Sequence, residues 1–466
     1  MRGKYERKRS RKRSALVGWL IALTVLLLVL VLGLLFLSRD QADPTVPPDS
    51  PSTSQPTDPE QTTAPPVTTE PINPVLSTAS FTVTGDLLMH GPVFRSCWDA
   101  EAEDWIFDPV FAHVAPYIQA ADYAVANLET TLCGEDNGYV YSGYPMFNCP
   151  DGIATASLNA GFDMLLTGNN HCYDTRTVGV RRTLEVLDQL GLESLGTQID
   201  AQAQDYTVVE VNGIRVGMTA YTYETADGNP SMPSINAIPC SADSLGMINS
   251  FDYAQLSKFY EEIGAQFEAM KAEGAEAIVV YMHWGEEYLL TPTEYQVKIA
   301  QQLCDMGVDV IVGGHPHVVE PVDLLTSTQD ENHRTLIIYS TGNALSNQRV
   351  HEMRLKTGHT EDGILFNFTL VKYADGTVEL LETSCVPTWV YMEGNRKSYT
   401  ILPLEFELRE QWQETFGIGE DTYNACLASY DRTMALVSEG IEMAQSWFTQ
   451  MHEAKVEELV GTNRNP

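Results

Sequence analysis

Apolar and polar positions divide the chain into stretches of different character. Residues 15–37 run twenty-three positions without a charge. As a helix rising 1.5 Å per residue they would reach about 34 Å, enough to cross a bilayer core. Residues 40–77 hold ten of the 24 prolines and few large apolar side chains, a composition that favours extended polyproline II and reads as a stalk or plain spacer. From Thr78 onward, short β-branched runs alternate with longer segments of helical period, the mark of an α/β architecture. The pattern predicts strands over 81–84, 123–126, 164–167, 207–211, 214–220, 277–282, 308–312, 336–340 and 364–371. It predicts helices over 152–160, 177–190, 253–272 and 293–306. Beyond residue 401 the period turns helical, and that segment carries no chemical motif.

Composition adds a topology. The 466 residues are 44% hydrophobic, which excludes a disordered polyanion, and the net charge of −35 excludes DNA or RNA as a partner. Residues 1–14 hold eight Lys/Arg and one acid, leaving 20 basic and 62 acidic residues in the rest. A basic flank stays cytoplasmic by the positive-inside rule, so residues 15–37 are expected to be a single-pass anchor with the C-terminal bulk extracytoplasmic. A cleaved signal peptide is the rival reading, but it would want a shorter apolar run and a small-residue cleavage site. The expected organisation is a basic stub (1–14), an anchor (15–37), a stalk (38–77), an α/β domain (78–400) and a helical extension (401–466).

Chemistry gathers where apolar runs stop. Phe-Thr-Val-Thr-Gly-Asp ends at Asp86, and Tyr-Ala-Val-Ala-Asn-Leu-Glu ends at Asn127 and Glu129. Asp-Met-Leu-Leu-Thr-Gly-Asn-Asn-His ends at Asn170 and His171; two further runs deliver His283 with Glu287, and His315 with His317. In open α/β sheets the carboxyl ends of strands line the ligand crevice, so these side chains are expected to converge. Singly, an Asp or Asn after a strand is more often a turn or a cap. Gly313-Gly314-His315-Pro316-His317 is more telling, since two imidazoles one residue apart suit a transition metal. The alternative, two exposed loop histidines, stays open, as does a satisfied core role for His283.

The order Asp…Asn-Leu-Glu…Asn-Asn-His…His-Trp-Gly…Gly-His-Pro-His resembles the bacterial poly-γ-glutamate capsule synthesis (CapA-type) family over about residues 78–345. Tyr339-Ser340-Thr341-Gly342-Asn343 extends the resemblance. More distantly the pattern is similar to the calcineurin-like metallophosphoesterases. The resemblance implies a metallophosphatase-like α/β sandwich, with central sheets flanked by helices. It implies two divalent transition-metal ions of the Mn, Fe or Zn kind, one on Asp86 and His317, the other on Asn170, His283 and His315, with Glu129 bridging. Two such ions about 4 Å apart activate a water between them. His171, beside Asn170, is then placed to protonate a leaving group or to stabilise charge, with Asp174 as its orienting carboxylate, and Asn127, Glu287 and Asn343 are expected around the substrate.

Departures from that pattern lie mostly beside the ligands. Leu88 stands where phosphoesterases carry a histidine, with His90 two residues beyond. Gly314, Glu320, Ala344 and Asn347 also differ from the family's usual residues. None of the eight cysteines forms a C-x-x-C pair; Cys133 and Cys149 flank a loop short enough for a disulfide, and Cys172 beside His171 reads as a buried thiol. Two function classes follow. One is a membrane-anchored metal enzyme of poly-γ-glutamate synthesis, export or surface attachment, or of a phosphoester or cell-wall phosphodiester. The other is a non-catalytic tether within a capsule export complex, partnered by its synthesis or export proteins.

Overall fold

The chain lays down the parallel half of one sheet first: β1 (Val75–Leu87), β2 (Tyr123–Asn127), β3 (Met164–Leu166) and β4 (Glu193–Leu195). It then crosses to a second sheet made of β5 (Thr207–Val211), β6 (Ile214–Tyr223), β7 (Ser250–Phe251), β8 (Ala277–His283), β9 (Val310–Gly314), β10 (Val322–Thr326) and β11 (Arg334–Ile338). It returns to complete the first with β12 (Asn343–Leu345), β13 (Asp362–Tyr373), β14 (Val378–Glu393) and β15 (Ser398–Pro403). Strand order is β15-β14-β13-β1-β2-β3-β4 with β12 beside β1, and β7-β6-β8-β9-β11-β10 with β5 beside β6. This is a computed structural model that describes residues 73–225, 232–395 and 397–462. The expected basic stub, the anchor over 15–37 and the stalk up to residue 72 lie outside the described residues. Among the described residues no helix is long and apolar enough to cross a membrane.

Period-2 alternation sorts each strand between two faces. In β1, Ala79, Phe81 and Val83 point between the sheets, where they meet Val279 and Tyr281 of β8 and Val216 and Met218 of β6. Their neighbours Ala124, Ala126 and Leu165 turn outward under α1 (Gly152–Ala160) and α2 (Arg176–Leu190). On the far side, Ile278, Val280 and Met282 pack under α3 (Leu256–Ala272) and α4 (Glu294–Asp305). The result is the layered sandwich expected, helices on both outer faces of two packed sheets. α1 and α2 stop at Gly161 and Gly191, both left-handed, as C-terminal glycines do. α4 starts with a capping box in which Thr293 and Gln296 satisfy each other's backbone N–H.

The long helix α5 (Glu420–Thr462) is part of this sandwich. Val437, Ala444 and Phe448 enter the core between the sheets. Asp362 of β13 ties the helix down through a bidentate pair with Arg432 at 2.7 and 2.8 Å and a hydrogen bond from Ser429 at 2.7 Å. The expected boundary at residue 400 falls inside β15, and β1 starts three residues before Thr78.

Candidate metal centre

Parallel strands bring their carboxyl ends to one edge, and the site is built there. Asp86 sits at a β-bulge: pairing of β1 with both β2 and β12 shifts register at this residue, which re-aims its side chain. The backbone passes so close to its neighbour that a Cβ on Gly85 would lie 1.9 Å from the Gly342 carbonyl oxygen. Glu129 follows β2, while Asn170 and His171 follow β3. His283 ends β8, and His315 and His317 follow β9. Both of the latter lie at positive φ, +97° and +56°, a costly conformation for side chains of this size that the surrounding turn must hold.

Geometry brings all six proposed ligands together. His317 Nδ1 lies 3.1 Å from Asp86 Oδ2, and its Nε2 lies 3.8 Å from Glu129 Oε1. His283 Nε2 lies 2.7 Å from Asn170 Oδ1 and 3.7 Å from the same Glu129 oxygen. Potential ligand atoms of Glu129, His315 and His317 fall within 4.8 Å of one another, as do those of Asp86, Glu129 and His283. Glu129 is common to both sets, the position a bridging carboxylate takes. These buried His, Glu and Asp clusters are able to bind metal.

The donors themselves test that fit. Glu129 is fully buried, yet among the described residues neither carboxylate oxygen has an N–H donor, and His315 Nδ1 is equally bare. Burial, then the negative charges of Asp86 and Glu287, pushes the Glu129 carboxyl well above its ordinary range. Burial and the neighbouring imidazoles His317 and His171 push His283 well below its own; burial, His283 and His317 do the same to His315. A buried carboxylate without a donor or counter-charge is costly by several kcal/mol. A cation placed among these atoms would pull the Glu129 carboxyl back to its ionised form and hold His283 and His315 in the neutral form that ligates.

Other expected residues surround this cluster. Asn127 donates to Asp86 Oδ1 at 2.7 Å and accepts from Asn169 at 3.0 Å, so its amide braces the ligands. His171 Nδ1 lies 2.8 Å from Asp174 Oδ2, a buried pair that Phe147 N–H also addresses at 2.6 Å. Glu287 is exposed near the cluster, in the loop whose Tyr288 N–H donates to the Pro316 carbonyl at 2.8 Å. Asn343, expected at the substrate, is instead wholly buried, and its Nδ2 donates to His317 O, Gln348 Oε1 and Thr360 O. It holds the histidine turn from behind.

Leu88 is buried and its N–H donates to the Leu345 carbonyl, so it belongs to the core. His90 Nδ1 accepts from the Asn347 N–H at 3.3 Å, and burial followed by the His317 charge pushes its pKa down to about 4. A Cβ on Gly314 would face Asp86 Oδ1 at 3.2 Å, so a side chain there would enter the cluster. Cys133 and Cys149 are free thiols. Tyr223, whose hydroxyl lies 3.1 Å from His315 Nε2, escaped the sequence, although it ends the strand beside β8. Asn236 also escaped. Its amide lies 3.2 Å from both His171 Nδ1 and Asp174 Oδ1, and it belongs to no motif.

The family model described as bacterial capsule synthesis protein PGA_cap matches residues 80–348, a stretch running from β1 past the Tyr-Ser-Thr-Gly-Asn element. The chain is 27% identical over 289 residues to the capsule biosynthesis protein CapA of Bacillus anthracis, covering 61% of this chain and 64% of that one. It is 24% identical over 275 residues to the PGA biosynthesis protein CapA of Bacillus subtilis (strain 168), covering 59% and 64%. The matches thus span less than two thirds of either relative's length. On the extent of the family match and the motifs it contains, the chain belongs to the bacterial capsule synthesis protein family PGA_cap.

Proposed function

We propose that this protein is a membrane-anchored, extracytoplasmic metal-dependent hydrolase or transferase acting in poly-γ-glutamate synthesis, export or surface attachment. The observation that carries the reading is Glu129: a buried carboxylate whose two oxygens find no donor among the described residues, where Asp86, His283, His315 and His317 meet. Asp86 and His317 would hold one divalent ion and Asn170, His283 and His315 a second, with Glu129 between them. A transition metal of the Mn, Fe or Zn kind suits this thiolate-free set. When bound, such ions supply Lewis-acid polarisation of the group under attack.

The chain's own residues do the rest. Asp174 accepts the Nδ1 proton of His171, which leaves Nε2 as the atom that takes or gives a proton. Asn127 and Asn169 keep Asp86 and the β2 end in register. The names of the two CapA relatives support a capsule polymer as substrate. The polymer is polyanionic and the chain carries −35 overall, so the local positive charge of bound ions is what would draw a carboxylate or phosphoryl oxygen into the cleft. Residues 15–37 would hold the domain at the membrane, with the N-terminus cytoplasmic.

The test is metal analysis of the full purified chain alongside His315→Ala and Asn170→Ala. Transition metal near stoichiometric amounts in the wild type, and its loss in both variants, is expected. A metal-free wild type whose stability ignores added metal would sink the enzyme reading. With metal present, poly-γ-glutamate and a generic phosphodiester assayed side by side separate capsule chemistry from phosphoester hydrolysis. Turnover of neither, with polymer still bound, would leave a tether.

A further inference from the structure

β6 ends on the same edge as the metal-centre strands, yet supplies none of the motif residues. Its last residue, Tyr223, closes that gap. The Tyr223 hydroxyl lies 3.1 Å from His315 Nε2, and the two rings lean together with centroids 4.9 Å apart. The other ring nitrogen of His315, Nδ1, is buried without a partner among the described residues, and His315 groups with Glu129 and His317. A neutral imidazole ligates through one bare nitrogen only when its proton sits on the other, and the hydrogen bond made there decides which. The backbone at His315 lies at φ +97°, a sparsely populated conformation that the surrounding contacts must hold.

We propose that Tyr223 is a positioning residue for the metal centre. Its hydroxyl accepts the Nε2 proton of His315, which fixes the ring and leaves Nδ1 as the ligating atom. The inference rests on the metal-centre reading above and adds to it a residue outside the family's motifs. Tyr223 touches neither metal nor substrate; it acts through His315. An outer hydrogen bond of this kind is worth roughly ten- to a hundredfold in metal affinity.

The experiment is a Co²⁺ titration of the full chain in detergent, following the Co²⁺ absorption bands and the melting point of the metal-free protein. Wild type is expected to take two ions. Tyr223→Phe should weaken one of them ten- to a hundredfold and alter its absorption bands, with the metal-free melting point unchanged. Tyr260→Phe, which removes a buried hydroxyl on α3 that has no partner among the described residues, should bind as wild type does. If Tyr223→Phe also lowers the metal-free melting point, Tyr223→Gln, which keeps an acceptor oxygen, decides: restored affinity supports the proposal and unrestored affinity overturns it. Unchanged affinity for both ions in Tyr223→Phe overturns the positioning role and leaves the metal centre standing. A wild type that takes no Co²⁺ overturns the metal centre itself.

Discussion

His171 Nδ1 and Asp174 Oδ2 lie 2.8 Å apart, three residues apart in sequence and both buried. The carboxylate fixes which imidazole nitrogen carries the proton at rest, so the pair should act as one unit. Asp174→Asn is expected to lower kcat on whichever substrate the wild type turns over by about two orders of magnitude, the usual worth of positioned acid–base catalysis. His171→Ala should cost as much, and the double variant hardly more. Metal content should stay at the wild-type level in all three, which separates a proton-transfer defect from a collapsed site. Additive losses in the double variant would show that the two residues work independently.

Metal removal should register as lost stability. Any ion that binds the folded chain alone stabilises it by RT ln(1 + [L]/Kd), about 4 kcal/mol at a thousandfold excess over Kd. Chelation of the wild type is therefore expected to lower its melting point by several degrees. Glu129→Gln removes the group common to both candidate clusters, so its melting point should not respond to chelator. Equal responses from wild type and variant would take Glu129 out of the metal centre.

The parts of the site that are legible in the sequence are those that lie within a few residues of one another. Asn170-His171, His315-x-His317 and the strand ends at Asp86 and Glu129 are local patterns. Each needs only the rule that parallel strands share a carboxyl edge. Tyr223 and Asn236 are different, because their roles come from which strand lies beside which. Nothing around Tyr223 says that β6 pairs with β8. Asn343 shows the converse: its motif placed it at the substrate, while three hydrogen bonds turn its amide into the protein. In the fold, the helix over 152–160 and the strand over 207–211 match their expected limits. The sixteen residues of β14 went unpredicted because Glu379, Glu382 and Pro387 interrupt its apolar alternation. The strand holds because it lies between β13 and β15 and beneath α5.

Glu320 gives a pH dependence with a definite sign. Burial pushes its carboxyl from 4.5 up to about 7, partly offset by the hydrogen bond from Gln296 Nε2 at 2.7 Å. Its folded value lies above its unfolded one. Between about pH 4.5 and 7 the folded chain therefore holds the proton more tightly, and stability falls as pH rises through that window. Glu320→Gln removes the charge and still offers an oxygen to Gln296. The variant is expected to melt with the wild type near pH 4.5 and above it at pH 8. The gap is worth about 1–3 kcal/mol, or roughly 1–4 °C for a chain of this size. A gap that does not change with pH would mean that Glu320 is not the titrating group.

Gly440 decides whether the chain beyond residue 400 is an appendage or part of the domain. In mid-α5 it passes so close to β10 that a Cβ there would stand 1.9 Å from the Val322 carbonyl oxygen. That atom is backbone, and cannot swing aside as the tip of a flexible side chain would. The contact lies in the middle of a seam, since Val437, Ala444 and Phe448 bury themselves between the sheets and Arg432 grips Asp362. Lifting the helix to admit a side chain would open all of these together. Gly440→Val is therefore expected to cost at least the 1–3 kcal/mol of ordinary overpacking. Phe448→Ala should cost about 3–5 kcal/mol through the cavity it leaves. Thermal melts of the full chain measure both. If α5 were a separate extension, both variants would melt with the wild type, and removing everything after residue 403 would leave the sandwich folded. The packing predicts that this truncation exposes the core between the sheets and yields no cooperative melt.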